Sequence, residues 1–142
     1  MPKVEVEKRV EAVNPYNVFE RMRDFGSYPT IASSVRRIEV EDVGDGTVLS
    51  RWEVTFRRGV MKWVERDEID PENRVIRFRQ LEGDLSDFSG DWRVTSSNGS
   101  VTIQFVAEFD LGIPTLAAML DPVAEEALRE NVTELIDAFC GA

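Results

Sequence analysis

The side chains best suited to acid–base chemistry lie in one charged stretch, residues 61–83. This stretch carries five acidic residues before Asn73 and three arginines after it. A carboxylate becomes a useful general base where burial raises its pKa, whereas a paired arginine lowers that pKa. Glu65 and Asp67 are therefore candidate catalytic bases. Arg79 is a candidate fixed cation that would stabilise an enolate or hold a carbonyl group, or would form a structural ion pair with Glu65.

The composition excludes several kinds of site and partner. The chain has no histidine and a single cysteine, Cys140, so it cannot form an internal disulfide or a metal site built on those residues. The lack of histidine also removes the usual general base near neutral pH. With 17 basic and 27 acidic residues the net charge is −10. This charge argues against nucleic acids and anionic membranes as partners.

The length and the hydropathy pattern predict one soluble domain. A chain of 142 residues fits a single core spanning residues 1–142. The opening segment alternates charges and lacks the apolar region of a signal peptide. No apolar run is long enough to span a membrane. We therefore expect a cytoplasmic protein with no transmembrane span.

Turn and cap signals divide the chain into a strand, two short helices, six strands and a long helix. Asn14 followed by Pro15 predicts the start of the first helix, which continues to about Phe25. The second helix is expected at residues 27–34. Short, turn-rich connections predict that the later strands form an antiparallel meander. These strands are predicted at residues 35–43, 47–56, 60–69, 74–82, 85–95 and 100–111.

The segment after Gly112 changes to the three- and four-residue spacing of a helix. Asp121 and Pro122 could begin a new helix, so the predicted helix is either in two pieces or kinked. Asn131 lies on the inner stripe of this helix, where it would hydrogen-bond the sheet or touch a ligand.

Strand parity identifies the inward face of three strands. In the last strand the odd positions from Val101 to Leu111 are all apolar. In the strand before it the inward positions are the even residues from 88 to 94, and in the third strand they are residues 52, 54 and 56.

Parity leaves the charged hairpin at residues 61–83 ambiguous. A simple hairpin closed by the turn at residues 70–73 pairs Asp67 with Arg77 and Glu65 with Arg79. Two interpretations remain open at this point. The pairs form either a solvated ribbon or the polar wall of a cavity.

Several short motifs occur in an order typical of one family. They are SYP at residues 27–29, W-x-E-x-D-x-I-D-P-E-N at residues 63–73, F-x-G-x-W at residues 88–92, and E-F-D at residues 108–110. Together with the element order, they resemble the polyketide cyclase/dehydrase (aromatase/cyclase) branch of the START-like helix-grip (SRPBCC) superfamily, with similarity also to its coenzyme Q-binding relatives. The resemblance implies an α+β helix-grip fold. In that fold a seven-stranded antiparallel sheet wraps around a long C-terminal helix and leaves a deep cavity.

The resemblance also implies positions for the site. It places Arg79 on the cavity wall, where the family has an arginine that holds the polyketide chain. For a second cavity arginine, the alignment gives Asp67, or Arg66 if it shifts by one residue. Tyr28 matches an aromatic residue at the cavity mouth. The predicted substrate-binding residues are Tyr28, Trp52, Trp63, Arg77, Phe88, Trp92, Phe105 and Asn131, and the predicted catalytic residues are Arg79, Glu65 and Asp67.

The function implied by the resemblance is that of an aromatase/cyclase-type protein. It would fold a poly-ketone or aromatic precursor in its cavity and promote aldol cyclisation and dehydration by positioning, without a cofactor. The hydrophobic or aromatic substrate would be free or tethered to a carrier protein. One alternative is a non-catalytic carrier of a lipid or quinone. Another is a ribosome- or protein-associated member of the superfamily.

Overall fold

The computed structural model describes residues 2–57, 59–113 and 116–141. The first part of the chain forms strand β1 (Lys3–Glu11), helix α1 (Pro15–Arg23), a 3₁₀ turn (Phe25–Ser27) and helix α2 (Tyr28–Ile31). Six strands follow: β2 (Val35–Gly44), β3 (Thr47–Phe56), β4 (Gly59–Asp70), β5 (Val75–Gly83), β6 (Asp87–Ser97) and β7 (Ser100–Asp110). Helix α3 (Ala117–Phe139) completes the described chain.

The seven strands form one antiparallel sheet in the order β1-β7-β6-β5-β4-β3-β2. Consecutive strands from β2 to β7 are neighbours, as expected for strands joined by short turns, and β1 pairs with β7. Helix α3 contributes buried side chains to the same core as the sheet. The predicted α+β helix-grip fold is confirmed.

Local signals explain the start of α1 and its packing. The Asn14 Oδ1 accepts a hydrogen bond of 2.8 Å from the Tyr16 backbone N–H, and Pro15 occupies the first helical position. Helix α1 ends at Arg23, earlier than the predicted end at Phe25, because Phe25 already belongs to the 3₁₀ turn.

Helix α3 is one continuous element, so of the two alternatives at Asp121 and Pro122 a helix in two pieces is wrong, while a kink stays a prediction. Pro122 lies in the second turn of the helix, where its missing N–H removes a single hydrogen bond close to the N-terminus. The following turns bury Ala124, Ala127 and Val132 in the core, and this packing keeps the segment helical.

The parity predictions for β3, β6 and β7 are confirmed. Trp52 and Val54 in β3, Phe88 and Trp92 in β6, and Phe105 in β7 are buried on the inward face. On this face apolar residues recur at every second position, so the orientation of these strands does not depend on the turns that join them.

The register of the β4–β5 hairpin differs from the prediction. Asp70 pairs with Val75, so the turn has four residues, 71–74, and Arg74 adopts a positive φ of 54°. A carboxylate oxygen of Asp70 accepts a hydrogen bond of 3.1 Å from the backbone N–H of Asn73, which stabilises this turn. Because side chains alternate along a strand, the one-residue shift reverses the orientation of the β5 residues from Val75 to Gln80, after which a bulge restores the original alternation. The residues it turns inward are Ile76, Phe78 and Gln80.

Candidate functional site

A cavity lies between the concave face of the sheet and helix α3. The space between its walls, including open solvent at the mouth, is about 700 Å³, of which only about 60 Å³ admits the centre of a water-sized sphere. Its walls are mostly apolar with few polar groups, as is usual in ligand pockets. The lining residues are Ser34, Val35, Trp52, Val54, Phe56, Met61, Trp63, Glu65, Phe78, Leu85, Phe88, Trp92, Phe105, Phe109, Ala124, Leu128, Asn131, Val132 and Leu135.

Aromatic rings form a closed series of contacts around the interior. Trp52 and Trp63 are stacked with their ring centroids 5.4 Å apart, and Phe78 and Phe105 are stacked at 5.8 Å. The other contacts are edge-on or tilted, which are favourable arrangements for aromatic pairs. The rings in order are Tyr28, Trp52, Trp63, Phe88, Phe78, Phe105, Trp92 and Phe139.

Two buried carboxyl groups follow Trp63 on the inward face of β4. Glu65 lines the cavity and is 3% exposed, and Asp67 is completely buried behind it. The Trp63 Nε1–H donates to Glu65 Oε1 at 2.7 Å. The Ser50 hydroxyl donates to Asp67 Oδ2 at 2.5 Å and accepts from the Trp52 Nε1–H at 2.7 Å. Indole and hydroxyl groups of β3 and β4 therefore fix the positions of both carboxyls.

Burial and mutual contact make it costly for both carboxyl groups to ionise together. Burial raises the pKa of Glu65 well above its ordinary value of 4.5, and the charge of Asp67 and its hydrogen bond with Glu65 raise it further. Burial also raises the pKa of Asp67, against hydrogen bonds from Glu65 and Ser50 that lower it. Two like charges in contact cannot both ionise without a large cost. Glu65 is therefore the more readily protonated of the two, and Asp67 the more readily ionised.

The hydrogen-bonding of Asp67 agrees with this assignment. Its Oδ2 accepts from Ser50, but its Oδ1 is buried, and within residues 2–57, 59–113 and 116–141 it has no hydrogen-bond partner. The remaining donor to Oδ1 of Asp67 is the carboxyl group of Glu65 in its protonated form, which is in hydrogen-bonding contact with Asp67. Among the cavity-lining residues that the structure describes there is no lysine or arginine, so no cation competes for this role.

The structure contradicts the predicted cavity positions of Arg77 and Arg79. Both arginines are exposed on the outer face, where Arg79 lies opposite Arg66 and Arg77 lies opposite Glu68. The expectation failed because the turn contains one more residue than the simple hairpin assumed. Of the two residues considered for the second cavity arginine, Asp67 points inward and Arg66 is exposed.

The predicted aromatic residues do come together. Trp52, Trp63, Phe88, Trp92 and Phe105 all line the cavity. Their contribution to substrate binding stays a prediction.

Asn131 lines the cavity, whereas Tyr28 does not. Tyr28 is fully buried at the edge-on contacts with Phe25 and Trp52, and its hydroxyl donates to the Met22 carbonyl, so it does not form the cavity mouth. Asn131 lines the cavity and donates from Nδ2 to the Thr55 carbonyl at 3.2 Å. Asn131 was expected either to hydrogen-bond the sheet or to touch a ligand, and this bond is the hydrogen bond to the sheet.

Gln80 is a polar residue at the site that the sequence interpretation missed. It lies opposite Glu65 on β5, its Nε2 donates to the Leu85 carbonyl at 2.7 Å, and its Oε1 is buried without a partner. The correct hairpin register was the signal needed to find it. Ser50 was missed too, although its even-numbered position beside Trp52 places it on the inward face of β3.

A family model described as polyketide cyclase / dehydrase and lipid transport matches residues 12–136. The chain belongs to this family. The cavity and its buried carboxyl pair are therefore features of a polyketide cyclase/dehydrase family member. Among curated proteins, no relative matches the chain.

Solved structures confirm the fold of this family member. A protein from Thermus thermophilus, TTHA0849, is 25% identical, with 97% of this chain and 94% of that chain covered and a TM-score of 0.88. The Zhui aromatase/cyclase from a Streptomyces species is 24% identical over 99% and 93%, with a TM-score of 0.81. A START superfamily protein from Mycobacterium smegmatis is 17% identical over 96% and 94%, with a TM-score of 0.72.

In the part of the chain that the structure describes, no helix is both long and apolar enough to cross a bilayer.

Proposed function

We propose that this chain binds a poly-ketone or aromatic precursor in its cavity and promotes aldol cyclisation and dehydration through Glu65. The observation that carries the proposal is the placement of Glu65 on the wall of an aromatic cavity, in contact with the buried Asp67. Membership of the polyketide cyclase/dehydrase family supports this kind of reaction.

The carboxyl pair can supply the proton transfers that an aldol condensation needs. When Asp67 holds the shared proton, Glu65 is a carboxylate that accepts a proton from a methylene carbon next to a ketone. The resulting enolate carbon attacks a second ketone carbon, and the new alkoxide takes the proton back from Glu65. In the dehydration step a second α-proton moves to Glu65 and then to the departing hydroxyl, which leaves as water. Each step returns the proton that it used, so the cavity keeps its net charge.

Glu65 and Asp67 have different roles in this scheme. Glu65 lines the cavity and would touch the substrate, so it is the proposed catalytic residue. Asp67 lies behind it and acts through it as a positioning residue that stores the proton. The aromatic walls would hold the precursor folded by stacking, which brings the reacting carbons together. Arg79 has no role in this scheme because it lies on the outer face.

Reconstitution with a polyketide synthase tests the proposal. We expect the wild-type chain to increase the yield of the cyclised and dehydrated product. Glu65→Gln, which keeps the shape of the side chain, should lower the rate by about 10²–10⁴-fold, the usual contribution of a general acid–base group. Glu68→Gln on the same strand is the matched control, because Glu68 is exposed on the outer face. A Glu65→Gln protein with the wild-type rate would contradict the catalytic assignment.

A second candidate function is a non-catalytic carrier of a hydrophobic small molecule. The observation in its favour is that the cavity wall is apolar apart from a few groups, and the family description includes lipid transport. Native mass spectrometry of the gently purified protein separates the two functions. A retained lipid or quinone, together with a wild-type chain that binds but does not convert a poly-ketone, would favour the carrier.

A further inference from the structure

At the polar end of the cavity, the ionisable side chains are two carboxyl groups, those of Glu65 and Asp67. Asp67 is fully buried, and Glu65 in front of it is 3% exposed, so neither carboxyl is solvated by bulk water. The groups that hold the pair, Trp63, Ser50 and Trp52, are neutral hydrogen-bond donors. No lysine or arginine occurs among the lining residues that the structure describes. When either carboxyl of the pair is ionised, its charge therefore lies at this end without a neutralising cation among those lining residues.

An anionic ligand meets two costs in such a cavity. It loses its own hydration on entry, and it then meets the charge of Asp67 in surroundings of low dielectric constant. Asp67 Oδ1 already lacks a permanent donor, so the pair needs a hydrogen from Glu65 rather than a further acceptor from a ligand. A neutral ketone or hydroxyl group meets neither repulsion nor the loss of an ionic hydration shell.

We propose that the Glu65–Asp67 pair makes the cavity selective for uncharged ligands and excludes aromatic and aliphatic carboxylates. This inference rests on the proposed function, because it takes the cavity as the binding site. It specifies the substrate class further: the precursor enters as a neutral ketone, ester or thioester, and a free acid of the same skeleton is rejected.

Two probes of the same shape test the selectivity by isothermal titration calorimetry at neutral pH. They are 2,6-bis(hydroxymethyl)naphthalene and naphthalene-2,6-dicarboxylate, which carry identical groups at both ends. Whichever end enters first, the dicarboxylate therefore brings a charge toward Asp67. We expect the diol to bind wild-type protein at least about tenfold more tightly than the dicarboxylate.

The double variant Glu65→Gln/Asp67→Asn tests whether the carboxyl pair is responsible. It replaces both groups with amides of the same shape and removes the charge of the pair, so the affinities of the two probes should come within about threefold of each other. Glu68→Gln removes one charge from the outer face of the same strand and should keep the wild-type difference. Circular dichroism and the affinity for the diol establish that each variant is folded.

The outcomes separate this inference from the proposed function. Equal affinities of the two probes for wild-type protein would overturn the selectivity and leave the cavity as a binding site. A difference that persists in the double variant would overturn the assignment to the pair. Failure of both probes to bind wild-type protein would contradict the cavity as a site for such ligands, and the selectivity would fall with it. If the double variant does not fold, the wild-type comparison decides the selectivity, and the single variant Asp67→Asn takes the place of the double variant in testing the assignment to the pair.

Discussion

The two faces of the β4–β5 hairpin carry charged residues under opposite conditions. On the outer face, Arg66 lies opposite Arg79, and both are exposed to water. On the inner face, Glu65 and Asp67 are buried without a cation among the described residues of the wall. Water screens the outer charges, so even two opposed arginines cost little. The inner pair has no such screening, so it is costly for both of its carboxyl groups to ionise together.

This difference shows that position on the strand, rather than residue type, creates the chemistry. Glu65 and Glu68 are the same residue three positions apart, yet Glu68 is exposed, whereas Glu65 is buried and has its pKa raised by burial and by a neighbouring charge. The alternation of side chains along β4 is sufficient to place one glutamate in the cavity and the other in solvent.

Removing an aromatic wall residue should have the largest effect on stability. Trp63→Ala removes the ring stacked on Trp52 and the N–H that donates to Glu65, so we expect a loss of about 3–5 kcal/mol in the free energy of unfolding. Leu81→Ala on the neighbouring strand is the control, since Leu81 is 50% exposed and its loss should cost within about 0.5 kcal/mol. Urea denaturation measures both. Similar losses in the two variants would mean that the inner face is not a packed aromatic wall.

The pH dependence of stability should reveal the buried carboxyl. The pKa of Glu65 is raised in the folded protein, so the folded chain keeps a proton that the unfolded chain releases. The free energy of unfolding should therefore fall as the pH rises from about 4.5 toward the raised pKa, with a limiting slope of about 1.4 kcal/mol per pH unit. Glu65→Gln should remove this contribution, and Glu68→Gln should keep it. Parallel stability curves for wild type and Glu65→Gln would contradict the assignment.

The carboxylate of Glu134 has its pKa shifted in the direction opposite to that of Glu65. Glu134 on α3 accepts hydrogen bonds from the Ser34 N–H at 3.0 Å, the Ser34 hydroxyl at 2.6 Å and the Ser33 hydroxyl at 2.8 Å. Burial alone would raise the pKa of Glu134, but these bonds lower it. Its stabilising contribution is therefore present above the ordinary pKa and disappears as the pH falls through the lowered value.

Glu134→Gln should consequently destabilise the protein by about 1–2 kcal/mol at neutral pH, because hydrogen bonds to the charged group are weakened. The deficit relative to wild type should shrink in acid. Glu130→Gln is the control on the same helix, since Glu130 is exposed and its ion pair with Arg57 is long, at 3.7 Å. Thermal or urea unfolding at two pH values measures the effect. A deficit that grows in acid would contradict the lowered pKa.

The smallest effect is expected for the outer arginines. Arg79→Ala and Arg77→Ala should change the free energy of unfolding by within about 0.5 kcal/mol, because both side chains are exposed. The affinity for the naphthalene diol should be unchanged. A tenfold loss of that affinity in Arg79→Ala would show that this arginine reaches the cavity, contrary to the register of the hairpin.

The sequence predicts those parts of the fold that depend on local pattern. Asn14 followed by Pro15 identifies the start of α1, and the apolar alternation of β7 identifies its inward face. These predictions hold because caps and strand parity involve only neighbouring residues. The continuity of α3 through Pro122 could not be predicted in this way, because packing of later turns against the sheet overrides the local signal.

The candidate site was only partly predictable for a similar reason. The parity of β4 places Glu65 and Asp67 together, but their partners depend on the length of the turn to β5. That length is set by Arg74 in a positive-φ conformation that a non-glycine residue rarely adopts. The predicted register was one residue off, so it placed Arg79 rather than Gln80 opposite Glu65 on the cavity wall. The prediction therefore paired the carboxyl groups with a cation, whereas the structure has Arg79 on the outer face of the sheet.

The protonation of Glu65 tests the account most directly. Carbon-detected NMR can follow the side-chain carboxyl carbon of each glutamate through a pH titration, with Glu65→Gln identifying the Glu65 signal. We predict that Glu65 titrates with a midpoint clearly above the ordinary glutamate value of 4.5, and that the shift persists in Arg79→Ala. A Glu65 midpoint near 4.5 would contradict the raised pKa and, with it, the proposed acid–base role of the pair.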